Sequence, residues 1–240
     1  MKKIYSLAPH TLILITCFTA SSIQSKKTEP AEVFFQKYEV KKQLKPSDLA
    51  GISNDQIDDH WKLYEGYVGN VNKLNNELTD MRKKGEFPRL AYDDRRRRYG
   101  FEYNGMVLHE LYFANLTSQS VPLKTNHPLY KKITGTWGRF KQWQDDFVRA
   151  GMSRGTGWAI LYIDPTTHNL TNHFIEEHGQ GHIAGFNPLL VMDVWEHAYM
   201  VDHKADGRSK YIENFMKNID WKVVGERYNT VLSNLQITRY

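Results

Sequence analysis

The sequence predicts an α+β fold: an N-terminal antiparallel helical hairpin followed by a C-terminal domain whose three-stranded antiparallel sheet is flanked by helices. Two patterns predict it. From residue 53 to 116, apolar residues recur at helical spacing in two stretches. From residue 158 to 192, three short apolar runs are separated by turn residues, as strands are. A chain of 240 residues, 40% hydrophobic and rich in Tyr, Phe and Trp, has enough apolar volume to bury the core this fold needs. The expected organisation is a signal peptide over 1–25, a helical domain over 26–122 and an α/β domain over 123–240.

Taken in order, Met1-Lys2-Lys3 is a basic start, and Thr11 to Ala20 is an apolar stretch too short to span a bilayer. Small residues at Ala20-Ser21-Ser22 suit a signal peptidase. The single cysteine, Cys17, stands in Leu14-Ile-Thr-Cys, which leaves two alternatives, a lipoprotein-type signal anchored at Cys17 or an ordinary apolar segment. Both export the protein, to a periplasmic, secreted or lipid-anchored location. Gln24 to Pro30 then reads as a tether.

Ser53-Asn-Asp-Gln56 has the pattern of a capping box opening a long helix. Ile57, His60, Trp61, Tyr64, Val68 and Val71 share one face of it. The segment from Lys83 to Gly100, with Gly85, Pro88 and the run Arg95–Arg98, is expected as a loop. No nucleic-acid-binding motif accompanies the arginines, so they read as a solvated run that contributes at most to attracting small anions. The net charge of +5 has the same meaning, and one cysteine excludes a disulfide framework or a zinc ribbon.

Asn104 to Leu116 is expected as the second helix, Pro122 to Pro128 as a linker, and Thr136 to Met152 as one amphipathic helix. The stripe of that helix, Trp137, Phe140, Trp143 and Phe147, reads as core. Strands follow at Trp158–Ile163, Leu170–Ile175 and Pro188–Met192. The third ends on Asp193, with His197 four residues on. If the chain turns from strand to helix there, both side chains face one cavity, and such a pair suits iron, manganese or zinc.

The longer string Asp193-Val-Trp-Glu-His197-Ala-Tyr199 resembles the signature of the iron/manganese superoxide dismutases. Other stretches share the resemblance, which spans roughly Ile57 to Tyr228. They are His109-Glu-Leu-Tyr112-Phe113, Ser153-Arg-Gly-Thr-Gly-Trp158, Arg208-Ser-Lys-Tyr211 and Asn218-Ile-Asp-Trp221. It implies conversion of superoxide to dioxygen and hydrogen peroxide at one iron or manganese ion per subunit, the choice of metal left open. His60, His109, Asp193 and His197 are the implied ligands, Trp158 a wall of the metal pocket, and Arg208 an arginine of the substrate funnel.

The first helix departs from the family pattern. Aligning Tyr67-Val-x-Asn places His60 one position after the usual ligand, at which Asp59 would stand. Keeping the apolar face in register makes His60 the ligand and puts Tyr64 where the family has a channel His. Tyr67, with Tyr64 as the alternative, is then the channel phenol. Gly105 stands where some members carry a Gln that reaches the metal-bound solvent. His178, fifteen residues before Asp193, is the candidate for that outer-sphere role, with His182 as its rival. Glu196 would cross a two-fold axis to the partner subunit's ligand His, implying a homodimer or a dimer of dimers. Met200 replaces a Tyr that many members pair with the channel His. Two other readings stay open, a mononuclear iron oxygenase with a two-His-one-carboxylate triad and a secreted metal-binding protein that has lost activity.

Overall fold

The computed structural model describes residues 37–86 and 89–237; the expected signal peptide, the tether and Cys17 lie outside them. Two long helices come first, α1 (Asn54–Lys83) and α2 (Leu90–Ala114). They pack as a hairpin, and α1 is about 45 Å long at 1.5 Å per residue. Two shorter helices, α3 (Pro128–Trp137) and α4 (Phe140–Gly151), lead to strands β1 (Gly157–Ile163), β2 (Leu170–Glu176) and β3 (Asn187–Asp193). Helices α5 (Met200–His203), α6 (Arg208–Lys217) and α7 (Trp221–Ile237) close the chain.

The sheet is antiparallel in the order β2-β1-β3, so the fully buried β1 is central. Its register sets Trp158 opposite both Ile175 of β2 and Asp193 of β3. Pro188 is tolerated in β3 because that strand lies at the sheet edge, where the ladder to β1 also shifts register. Val68 and Phe113 of the hairpin belong to the same buried core as Ile160, Val191 and Phe215.

Three local expectations are corrected. The loop expected over Lys83–Gly100 is short, and Arg95–Arg98 lie inside α2. Arginine is a good helix former, and pairs one turn apart, Arg97 with Asp94 and Arg98 with Glu102, add to the helix. The helix expected over Thr136–Met152 is split in two, because Gly138 turns the chain at φ 83°.

The third correction concerns the capping box, which is half formed. Ser53 Oγ accepts from the Gln56 backbone N–H, but the Ser53 N–H donates to Asp202. That releases the Gln56 side chain for a contact described next.

Candidate metal centre

Four side chains from four places in the sequence meet between the hairpin and the sheet. His60 comes from α1 and His109 from α2. Asp193 is the last residue of β3, and His197 lies in a short helical turn, Glu196–Ala198, just after it. The strand-to-helix turn expected after Asp193 is therefore present. One donor atom from each of the four lies within 4.8 Å of the others. His60, His109 and Asp193 are fully buried, and His197 is partly open to solvent.

All three imidazoles aim at one carboxylate oxygen. Asp193 Oδ2 lies 3.0 Å from His60 Nε2, 3.1 Å from His197 Nε2 and 3.7 Å from His109 Nε2. The other oxygen, Oδ1, accepts the Trp195 backbone N–H at 2.8 Å. His109 Nδ1–H donates to the Gly105 carbonyl at 2.6 Å, so its Nε2 carries a lone pair. That Nε2 is buried without a hydrogen-bond partner, facing an oxygen that also offers lone pairs. Two acceptors turned toward each other in an apolar setting are costly, unless a cation sits between them. Three imidazoles and a carboxylate are a donor set that iron and manganese accept.

Electrostatics keep the donors in their ligating forms. Burial lowers the pKa of His60 and pushes that of His109 well below the ordinary imidazole value, so both are neutral near pH 7. Burial alone would raise Asp193, but its interactions with His197 and His60 outweigh it and hold the carboxyl far below the carboxylate range.

Gln56 supports this geometry and carried no sequence signal beyond its capping position. Its Nε2 donates to the His197 carbonyl at 2.7 Å and its Oε1 accepts from the Val201 N–H at 2.9 Å. The turn that presents His197 is thereby clamped to α1.

Around the ligands stands a second set. Trp158 Nε1–H donates to His178 Nδ1 at 3.0 Å, and His178 Nε2 lies 2.6 Å from the Tyr67 hydroxyl. The indole of Trp158 also packs 5.0 Å from the His109 ring. Burial lowers the His178 pKa to about 4, so the ring is neutral. Indole nitrogen can only donate, which makes His178 Nδ1 the acceptor and places the ring's one proton on Nε2. Tyr67 Oη therefore accepts from His178, and the phenolic proton is free to point elsewhere. Glu177, at φ 50°, and the bridge between Glu176 and Gln180 curl the chain after β2 so that His178 turns inward. Asn104 Nδ2 holds the His178 carbonyl at 2.7 Å.

The hairpin register resolves the ambiguity of the first helix. His60 and Tyr67 are seven residues apart, about 700° around a helix, so they share a face. Both therefore reach the centre without Asp59, whose carboxylate pairs with Lys62 on the outside. Tyr64, the alternative to Tyr67 as channel phenol, turns its hydroxyl elsewhere. Its hydroxyl accepts from the Lys41 N–H at 3.0 Å and donates to Glu110 at 3.1 Å. His182 also faces away from the ligands, accepting from Tyr162 and donating to the His178 carbonyl. Glu196 is exposed, with a 3.5 Å bond from Thr156 Oγ1. Arg208 donates to the carbonyls of Gly151 and Gly155.

Residues 125–227 match the family model of the iron/manganese superoxide dismutase C-terminal domain. The superoxide dismutase (Fe) of Aquifex pyrophilus is 37% identical over 201 residues, covering 82% of this chain and 93% of that protein. The chain belongs to the iron/manganese superoxide dismutase family. The corresponding Aquifex aeolicus protein is 36% identical over the same shares, and superoxide dismutase (Mn) 2 of Haloferax volcanii is 30% identical over 70% of this chain and 82% of its own.

Proposed function

We propose that this protein is a superoxide dismutase that converts superoxide to dioxygen and hydrogen peroxide, with one iron or manganese ion per subunit. The observation that carries this reading is the convergence of three imidazole nitrogens on a single oxygen of Asp193. His60, His109, Asp193 and His197 would hold the ion. Four protein donors, one more than a two-His-one-carboxylate triad uses, favour dismutase over oxygenase chemistry.

When bound, the ion supplies a one-electron couple that is reduced by one superoxide and reoxidised by the next. Two protons must reach the second superoxide to give hydrogen peroxide, and the chain's own groups have to deliver them. His178 holds Tyr67 Oη as its acceptor, which leaves the Tyr67 O–H free to donate. Burial raises the Tyr67 pKa well above that of a free phenol, so the proton is present throughout the neutral range. Trp158 orients His178 and excludes water from the His109 side. Arg208, beside the site, adds positive charge for an anionic substrate.

The finer reading concerns assembly and location. Glu196 is exposed between two ligands, as a residue reaching a partner subunit's histidine would be, and supports a homodimer. The basic and apolar N-terminal residues support export, with Cys17 as a lipid anchor in one version.

The deciding experiment loads purified protein separately with iron and manganese and measures superoxide removal. Activity with at least one metal, at one ion per subunit, is expected. One bound ion per subunit and no activity with either metal would refute the proposal.

A further inference from the structure

The arginine run has no place in the reading so far, and the structure separates its members. Arg95 pairs with Glu77 of α1 at 2.6 Å, and Arg97 with Asp94 at 2.8 Å on the exposed side of α2. Arg98 lies over the Phe101 ring. With Glu102, Gly105 and His109 it forms one stripe of α2, spaced at successive turns. Its guanidinium lies 4.3 Å from the centre of the Phe101 ring, that ring lies 4.6 Å from His178, and His178 lies 6.0 Å from His109. Exposure falls along this file, from the Arg98 side chain at 56% through half-buried Phe101 to His178 at 0%.

Beside the file lies an acid that ought to repel an anion. The Glu102 side chain is 3% exposed, and its Oε2 accepts from Asn70 Nδ2 at 3.0 Å. Asn70 is one turn beyond Tyr67 on α1, so this carboxylate stands next to the channel phenol. Arg98 covers it through Nε at 2.6 Å and through Nη2. A buried carboxylate without that partner would project its charge into a poorly screened cavity.

We propose that Arg98, at the outer end of the Phe101–His178 file, guides the anionic substrate by cancelling the charge of Glu102 beside Tyr67. This rests on the dismutase reading, and it adds a guiding residue outside the ligand set. Arg98 acts on approach and touches no reacting atom.

The test uses metal-loaded full-length protein and two probes. Superoxide removal gives kcat/KM and kcat, and azide titration followed by the absorption spectrum gives the affinity for a small inert anion. At low ionic strength Arg98→Met is expected to lower both kcat/KM and azide affinity by about three- to tenfold, with kcat nearly unchanged. The loss should shrink as salt is added. Arg98→Lys should keep most of both, and Arg98→Met combined with Glu102→Gln should recover most of the loss. Arg97→Met removes the same formal charge from the same helix and should change either value less than twofold.

Equal effects of Arg97→Met and Arg98→Met would overturn the proposal, because only net charge would then matter. A loss that salt does not reduce would overturn it in favour of packing. If the parent protein removes no superoxide, the dismutase reading fails, while the azide comparison still decides the role of Arg98.

Discussion

The ring of Tyr67 rests directly on the Cα of Gly105: a Cβ built on that glycine would lie 2.6 Å from Cδ1 and 2.7 Å from Cε1 of the ring. No real side chain tolerates such an approach, so the phenol that bonds His178 depends on the absence of a side chain across the hairpin. The Gly105 carbonyl also accepts from His109, which ties this one residue to both a candidate ligand and the Tyr67 ring.

Replacing Gly105 by Ala should therefore displace Tyr67 and break its bond to His178 while the four ligands stay in place. The expected result is a full complement of metal with kcat reduced about tenfold, and a stability loss of about 1–3 kcal/mol from overpacking. Metal analysis, steady-state kinetics and thermal melts check it. Unchanged kcat would mean that the Tyr67–His178 bond does not serve turnover.

Substitution of the ligands should separate the two alignments of the first helix. His60→Ala is expected to abolish stable metal binding and activity, whereas Asp59→Asn should leave both near the parent values. Metal content of the purified variants is the measurement. A His60→Ala protein that keeps its metal and activity would show that the helix register is wrong.

Arg227 holds the frame together from the far side. Its Nη1 donates to the Leu189 carbonyl of β3 at 2.8 Å and its Nη2 to the Leu111 carbonyl of α2 at 2.9 Å. Burial lowers its pKa to about 10. Arg227→Met should cost roughly 2–4 kcal/mol, because the carbonyls it satisfies are left buried without donors. Denaturant unfolding of the metal-free protein would show it, and Arg227→Lys should restore part of the loss.

Metal-free protein should lose stability as pH falls below 6.5. His60, His109 and His178 are held neutral in the fold by burial, while in the unfolded chain they take up protons from about pH 6.5 downward. The unfolded state then binds more protons, so unfolding free energy decreases with falling pH. For His178 the slope approaches about 1.4 kcal/mol per pH unit and ends near pH 4, and His60 and His109 act in the same direction. Loading with metal should oppose the loss by mass action. A flat stability profile between pH 6.5 and 5 would contradict the neutral assignment.

Tyr64→Phe should leave activity near the parent level. Its pKa is pushed up to about 12, chiefly by burial, and its hydroxyl serves Lys41 and Glu110 rather than the ligands. The cost should be about 1 kcal/mol of stability, the worth of one hydrogen bond. A large fall in kcat would return Tyr64 to the channel.

The α+β class was legible because it rests on local information, whereas the candidate ligands His60 and His109 were legible only through the resemblance of their motifs. Helical spacing marks His60 and His109 as inward-facing, and the apolar run of β3 ends on Asp193 by its own length. The segment from Lys83 to Gly100 resembles a long loop because Gly85 and Pro88 look like punctuation, whereas the arginines after them propagate a helix. Residues 136–152 resemble one helix because the aromatic stripe continues in phase across Gly138, and only the backbone turn there reveals the break.

By itself the sequence determined which residue types are available and which face each one occupies within its own element. That was enough for the fold class and for Asp193 and His197 as a candidate pair at a strand end, while His109 entered through the resemblance of its motif. The bonding of Tyr64 to Lys41 and Glu110, the Gln56 clamp, the tautomer of His178 and the separation of Arg98 from its neighbours needed the tertiary structure. The physical reason is that these are contacts between elements far apart in the chain. The partner of a side chain there depends on how α1, α2 and the sheet register against one another, and spacing within a single element carries no record of that.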